Sequence, residues 1–413
     1  MKRIIPIVAV ALLAVMCGKA PETLPQELKG VWSGEIEKLG LSLTLHLDDR
    51  CSVDSPDQGA YGLKAVVKEC DGNSVKVSFP EFHASVSLSL QNDTLAGKFS
   101  QLGIKSPIIM SRGYLKRNRP QTPCPPFPYQ TEEVTFSNGD INLGGTLTIP
   151  SGADEAKTAP VVVMVSGSGM QDRDETLMEH KPFAVLADAF AREGIASLRY
   201  DDRGCGASGG VFEEATTADF ASDAAAAVRY LRERGYVNVG LMGHSEGGSI
   251  AFMLAGAETP DSGTPDFIVS LAGMADRGDS TLLRQTAKMM TLQGAPEKLA
   301  GFAAKMAVKK IKKTGGVWMD YFYQLDPGPF VSRIQCPVLA LNGSLDSQVL
   351  PEFNLDKVKA LCPQADCRLY PGLNHLFQHC TTGLSLEYAK IEETFSEEVI
   401  TDIINWIKTG PVK

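Results

Sequence analysis

The chain has 413 residues, is 43% hydrophobic and 22% charged, and carries a formal net charge of −9. That length exceeds the size at which a single core stops growing, so two domains are expected. The balance of apolar and charged residues excludes a disordered or fibrous chain, and the acidic total gives no footprint for nucleic acid or an anionic membrane, either of which calls for clustered positive charge.

The chain begins with an address. Lys2 and Arg3 precede an apolar run, Ile4 to Met16, that is too short to span a bilayer comfortably. This predicts a signal peptide over 1–20 and an exported, periplasmic or envelope-associated protein with no integral membrane domain. Two processing routes fit the residues. Gly18-Lys19-Ala20 offers small residues at the usual cleavage positions, although Pro21 follows. Ala14-Val15-Met16-Cys17 resembles a bacterial lipobox, which would place a lipid anchor at Cys17. Export permits disulfides, and Cys51 with Cys70 and Cys362 with Cys367 are the candidate pairs; spacing alone does not fix their state.

From Gly30 to Arg112 the pattern is alternation. Leu41, Leu43, Leu45 and Leu47 are separated by Ser42, Thr44 and His46, and Val86, Leu88 and Leu90 repeat the scheme. Period two means half-buried strands, and Asp71-Gly72-Asn73 reads as a turn. A small all-β unit over 25–113, a barrel or closed sandwich, is the expectation. His46 and His83 show no partners in the sequence and read as ordinary strand residues. Pro120, Pro123, Pro125, Pro126 and Pro128 then mark a semi-rigid linker over 114–130.

After the linker the period changes. Glu133–Phe136 and Leu143–Ile149 read as a strand pair, and Ala159–Val165 as a strand buried on both faces. A helix over Pro182–Glu193, a strand over Ala196–Tyr200, a helix over Ala218–Arg234 and a strand over Asn238–Met242 follow. A helix from Gly248 and strands at Ile268–Leu271, Val338–Leu341 and Cys367–Tyr370 complete the series. Alternating strands and helices predict an α/β domain over 131–410 with a doubly wound, mostly parallel sheet. A helical cap is expected at about 276–333. Most of its Met289, Met290, Met306, Trp318, Tyr321 and Phe322 read as the underside of a lid packed on the core, with the lining of an acyl pocket as the alternative. Lys309, Lys310, Lys312 and Lys313 read as a solvated helix face, with a steering patch for anionic substrates as the alternative.

The chemistry concentrates at Gly243-His244-Ser245-Glu246-Gly247, between a predicted strand and a small-residue helix. A strand–turn–helix junction with flanking glycines is what a nucleophile elbow requires. A serine hydroxyl needs a base, and the base needs an orienting acid. Downstream of Ser245 stand only His375 and His379. His375 follows a predicted strand and is the candidate base, while His379 falls one helical turn later. Leu376 occupies the position where a zincin has its catalytic glutamate, so no metal is expected. Asp346, in the loop after Val338–Leu341, is the candidate acid, whereas Asp356 lies in the next helical stretch. The oxyanion donors are expected to be the backbone N–H of Glu246 and that of Ser168, with Gly169 as the near alternative. Gly167-Ser168-Gly169 lacks both a Walker lysine and the dinucleotide pattern, so no cofactor is expected.

These residues resemble the α/β-hydrolase superfamily. The run Gly167-Ser168-Gly169-Met170-Gln171-Asp172-Arg173-Asp174 resembles one exported bacterial esterase branch, which usually has proline at Met170 and often histidine at Ser166. Arg199-Tyr200-Asp201-Asp202-Arg203-Gly204 resembles the turn after that fold's fourth strand, and implies structural weight. Gly30-Val31-Trp32 and Ser55-Pro56-Asp57-Gln58-Gly59 resemble a lipocalin-like domain that precedes such hydrolases in some bacteria. The resemblance implies a serine esterase acting on a small-molecule ester. Some relatives are grouped with serine aminopeptidases, so a peptidase with the same triad is the alternative. Such a peptidase needs a carboxylate for the amino terminus, for which Glu246, Asp172 and Asp174 are candidates. A non-catalytic binding protein is the third reading, and the complete set of serine, acid and histidine weighs against it.

Overall fold

The computed structural model describes residues 24–410 apart from 38, 40, 57–59, 102 and 153–156. The signal-peptide segment, Cys17, and Asp57-Gln58-Gly59 lie outside the described residues. The chain divides into two compact units, Met1–Lys116 and Arg117–Lys413.

The first unit is one antiparallel sheet of nine strands. These are β1 (Gly30–Ile36), β2 (Leu41–Leu47), β3 (Ser52–Ser55), β4 (Ala60–Lys64), β5 (Val66–Asp71), β6 (Ser74–Phe79), β7 (Ala84–Gln91), β8 (Thr94–Gln101) and β9 (Ile104–Arg112). Their order, β4-β3-β2-β1-β9-β8-β7-β6-β5, leaves β4 and β5 as the two edges although only Ala65 separates them in sequence. The sheet therefore curls back on itself into a nearly closed barrel. Its interior is filled by Trp32, Leu45, Leu47, Phe79, Val86 and Phe99. The Trp32 indole N–H donates to the Leu28 carbonyl at 2.9 Å, and the Arg112 guanidinium lies 4.1 Å above the ring. Two details differ from the simple alternation. Ser42 and Thr44 are buried together with Leu43 and Leu45. His46 does have a partner, because the β2–β3 register brings it to Asp54, with Nε2 and Oδ2 2.8 Å apart.

The second unit is built on an eight-stranded sheet. Its strands are β10 (Gln130–Asn138), β11 (Ile141–Ile149), β12 (Val161–Val165), β13 (Ala196–Tyr200), β14 (Val239–His244), β15 (Phe267–Leu271), β16 (Val338–Gly343) and β17 (Asp366–Tyr370). They lie in the order β10-β11-β13-β12-β14-β15-β16-β17, with β11 antiparallel to both neighbours, β10 and β13, and every other pair parallel. This is the α/β-hydrolase fold. β12 shows why its sequence is continuously apolar: Val161, Val163 and Val165 enter one core, and Val162 and Met164 the other. The first core lies under α2 (Thr217–Glu233) and α3 (Glu246–Ala255), and the second under α1 (Pro182–Arg192) and the C-terminal helix Glu397–Thr409. That last helix has no counterpart among the predicted elements, although Val399, Ile400, Ile403, Ile404 and Ile407 form one buried stripe.

The cap consists of α4 (Gly278–Leu292), α5 (Glu297–Thr314) and α6 (Gly316–Gln324). Met306, expected on its underside, is 60% exposed and faces outward. The proline-rich segment, read as a spacer, is held along the second unit from Arg117 onward. Arg119 donates to the carbonyls of Met178, Ala389 and Ile391, and the Gln121 side chain accepts from the N–H groups of Thr394 and Phe395. All eight cysteines among the described residues are free thiols. No helix among the described residues is long and apolar enough to cross a membrane.

Candidate active site

Four loops leave the carboxyl ends of parallel strands and meet around one cavity of about 420 Å³. The loop after β12 brings Ser168, that after β14 brings Ser245, that after β16 Asp346, and that after β17 His375. Ser168, Ser245, Glu246 and His375 line the cavity directly. Asp346 lies behind His375.

Ser245 caps α3 with φ 54° and ψ −114°, a left-handed conformation that side-chain-bearing residues rarely hold. The turn is tight enough to need its glycines: a Cβ on Gly243 would strike the Gly247 carbonyl, and one on Gly247 would strike the Val165 carbonyl. His244 and Glu246 on either side are buried, whereas Ser245 is half-exposed to the cavity. Strain of this kind persists only where the surroundings over-determine it, and here it turns one hydroxyl outward.

His375 is buried, and its Nδ1 lies 2.7 Å from Asp346 Oδ2. Asp346 is saturated with donors. Asn342 Nδ2 donates to Oδ2 at 3.0 Å, and the N–H groups of Gln348 and Val349 donate to Oδ1 at 2.8 and 2.9 Å. These donors hold the carboxylate in place against Nδ1, which orients the imidazole with its Nε2 edge turned away from Asp346. His379 lies elsewhere: it is exposed and pairs with Glu393 at 2.9 Å. Asp356 sits on an exposed helical face.

The candidate oxyanion donors stand at the same mouth. The start of α3 leaves its first N–H groups, Glu246 included, without intrahelical acceptors. In the Gly-rich loop the Gly167 N–H is already taken by Glu175 Oε1 at 2.7 Å, so Ser168 is the next donor along the chain. Loop geometry is held from below by Asp202, which accepts from Ser166 Oγ and the Gln171 N–H, both at 2.9 Å. Burial, joined by the nearby carboxylates of Glu175 and Glu246, raises Asp202 to a pKa of about 7 against the pull of those two donors.

Glu175 is the residue that sequence reading missed. It is buried, and Oε1 accepts from Gly167 N–H and from His244 Nδ1 at 2.9 Å. His244 Nε2 in turn lies 2.9 Å from the His375 carbonyl oxygen. Both partners of His244 accept, so both ring nitrogens must carry protons. Burial alone would lower the pKa of His244, but the Glu175 carboxylate and the His375 carbonyl raise it above the ordinary value. His244 thus ties the Gly167–Ser168 loop to the His375 loop behind Ser245. No spacing rule marks Glu175; only the histidine inside the elbow hinted that a buried partner was needed.

The three carboxylates considered for an amino terminus are all engaged. Glu246 accepts from Thr217 Oγ1, Ser168 Oγ and Trp318 Nε1 at 2.6, 2.7 and 2.9 Å. Burial raises its pKa, against these three hydrogen bonds. Asp174 pairs with Arg199 and Lys181, and Asp172 accepts the N–H groups of Asp174 and Thr176. Arg173, Asp201 and Arg203 also act as scaffold: Arg173 binds Asp201 at 2.8 Å and Arg203 binds Asp223 at 2.7 Å. The remaining walls are apolar and come partly from the cap. Met274, Leu282, Trp318, Phe322, Val349 and Leu376 line them, with Gln171, Gln285 and Gln348 as polar points.

Comparison with known proteins agrees with the fold. The family described as "Hydrolase_4: Serine aminopeptidase, S33" matches residues 177–311. The esterase EstD of Thermotoga maritima is 28% identical over 295 residues, covering 68% of this chain and 69% of that protein. Among solved structures, Est1E from Butyrivibrio proteoclasticus is 16% identical with a TM-score of 0.44, covering 67% of this chain and 98% of that one. The Pyrococcus furiosus esterase Pf2001 is 18% identical with a TM-score of 0.45, covering 72% of this chain and 99% of that one.

Proposed function

We propose that this α/β-hydrolase-fold protein cleaves carboxylic esters through an acyl-enzyme formed on Ser245. The observation that carries the reading is a strained Ser245 that opens on the same cavity as a buried His375, itself bonded to Asp346 at 2.7 Å. His375 Nε2 takes the Ser245 proton as the hydroxyl attacks the ester carbonyl. The Glu246 and Ser168 N–H groups receive the developing oxyanion. The same imidazole then delivers the proton to the departing alcohol. Water attacks the acyl-enzyme by the reverse path and releases the acid.

Similarity to a named esterase supports ester cleavage. The family match carries an aminopeptidase description, but Glu246, Asp172 and Asp174 are all occupied by donors in the protein. A free amino terminus would find no vacant carboxylate among these three, which favours an ester over a peptide. The test is hydrolysis of a panel of short-acyl and long-acyl activated esters beside aminoacyl amides, with Ser245→Ala as control. We expect ester turnover and labelling of Ser245 by a fluorophosphonate, both lost in the variant by about four to six orders of magnitude in rate. A label on another serine, or amide cleavage outpacing every ester, would overturn the reading.

A further inference from the structure

The cap helix α5 has an outer face that the hydrolase reading leaves unused. Its inner face is made of small residues at every fourth position, Ala300, Ala304 and Val308, all buried. The opposite side carries Leu299, Phe302 and Met306, which are 64, 69 and 60% exposed. At 3.6 residues per turn these three fall on one stripe, directed away from the buried row. Single exposed apolar side chains are ordinary on a soluble surface, but three large ones adjoining on one helix form a patch.

Charge decides what such a patch fits. Between Glu297 and Thr314 the helix has six lysines, at 298, 305, 309, 310, 312 and 313, against the single acid Glu297, in a chain of net charge −9. Lys305, Lys309, Lys310 and Lys313 are exposed beside and beyond the apolar stripe, while Lys312 rests over the Tyr323 ring at 4.0 Å. Apolar side chains flanked by lysines on one helical face suit the boundary between anionic headgroups and acyl chains. A second copy of the same face would set lysines against lysines. We propose that the outer face of α5 docks on an anionic lipid surface, with Leu299, Phe302 and Met306 entering the headgroup boundary and the lysines contacting lipid phosphates.

The location gives the contact a use. α5 packs on α4 and α6, which supply Leu282, Gln285, Trp318 and Phe322 to the cavity, so the docked element is the roof of the site. The docking itself does not depend on the ester-hydrolase reading.

The test uses the full chain and vesicles of phosphatidylcholine alone or mixed with phosphatidylglycerol, separated by flotation. The readout is the difference between parent and variant. Binding is expected to need phosphatidylglycerol and to fall at least about tenfold in L299S/F302S/M306S. It should also fall in K305Q/K309Q/K310Q/K313Q. Hydrolysis of a soluble ester should be unchanged in both, which separates a failed surface from a damaged site. F302W preserves the patch, and its emission should shift blue with phosphatidylglycerol vesicles and be quenched by brominated lipid. Equal binding of parent and serine variant, equal binding to both vesicle types, or unshifted F302W emission would overturn the proposal. Loss of self-association in the serine variant, without vesicle binding by the parent, would assign the face to contacts between copies instead.

Discussion

The two units bury different things. Among the described residues the polar groups buried in the first unit are hydroxyls, those of Ser33, Ser42, Thr44, Ser55 and Ser106. The second buries Glu175, His180, Asp201, Asp202, Asp223, His244, Glu246, Asp346 and His375. Burying an ionisable group is costly unless it is paired or hydrogen-bonded, so a fold accumulates such groups only where something fixes each of them. Most of those named surround the cavity or the loops that shape it. Among the described residues one unit buries no ionisable side chain, and the other places charge in its interior and organises it around Ser245.

The sharpest way to break that contrast is Asp346→Asn. The amide keeps the shape but no longer favours the Nδ1–H tautomer, so in the proposed mechanism His375 cannot accept the serine proton at Nε2. We expect kcat on an activated ester to drop about 10⁴-fold with the fold retained. His379→Ala, outside the cavity and paired with Glu393, should leave kcat unchanged. A larger loss from His379 than from Asp346 would remove His375 as the base.

Trp32→Ala probes the other side of the comparison. It empties the centre of the barrel and orphans the Leu28 carbonyl, so thermal or urea unfolding of the first unit should lose about 3–5 kcal/mol. Turnover of a small ester should not change at temperatures where the barrel remains folded. A matching fall in kcat would tie the interior of the barrel to the chemistry and end the contrast.

Much of this was legible in the sequence, for identifiable reasons. β12 and β14 declare themselves because both faces of each strand are covered, and the elbow declares itself because Gly243 and Gly247 meet backbone that admits no side chain. Asp346 and His375 follow from chain order and from their place after strands. What stayed hidden depends on long-range contacts. Glu175 reaches His244 across 69 positions, and Arg119 reaches the Ile391 carbonyl across 272. Neither leaves a local pattern, so a segment read as a semi-rigid spacer is clasped to the second unit. His46 looked alone because its partner comes from a strand register rather than from a motif. The outward face of Met306 was misread for the opposite reason: composition suggested a lid lining, and only the helical phase set by Ala300, Ala304 and Val308 turns it to solvent.

Asp202 converts buried charge into a pH signature. Its pKa in the folded chain, about 7, lies above the ordinary carboxylate value, so the native state keeps a proton that the unfolded chain releases. Its contribution to stability is therefore complete below the unfolded pKa of about 4 and is lost as pH rises through about 7. Asp202→Asn keeps an acceptor for the Gln171 N–H and removes the titration. Relative to the parent, the variant should gain on the order of a few kcal/mol between about pH 4 and pH 8. The measurement is the difference in urea midpoint across that range; a flat difference would mean that Asp202 is ionised throughout.

Glu175→Gln should give the smallest effect and separates positioning from packing. Glutamine Oε1 can still accept from the Gly167 N–H and from His244, so the loop remains closed. What disappears is the counter-charge that keeps both His244 nitrogens protonated. A neutral His244 that retains Nδ1–H no longer donates to the His375 carbonyl, and the His375 loop loses one of its anchors. Misplacement on this scale should lower kcat about ten- to a hundredfold, with KM little changed because Glu175 holds loops rather than substrate. The pH profile carries the distinction. In the variant His244 regains its second proton as pH falls, so the ratio of variant to parent rate should rise toward acid. A residue that merely fills space would lower the ratio evenly at every pH, and a flat ratio would leave the Glu175–His244 pair with a packing role alone.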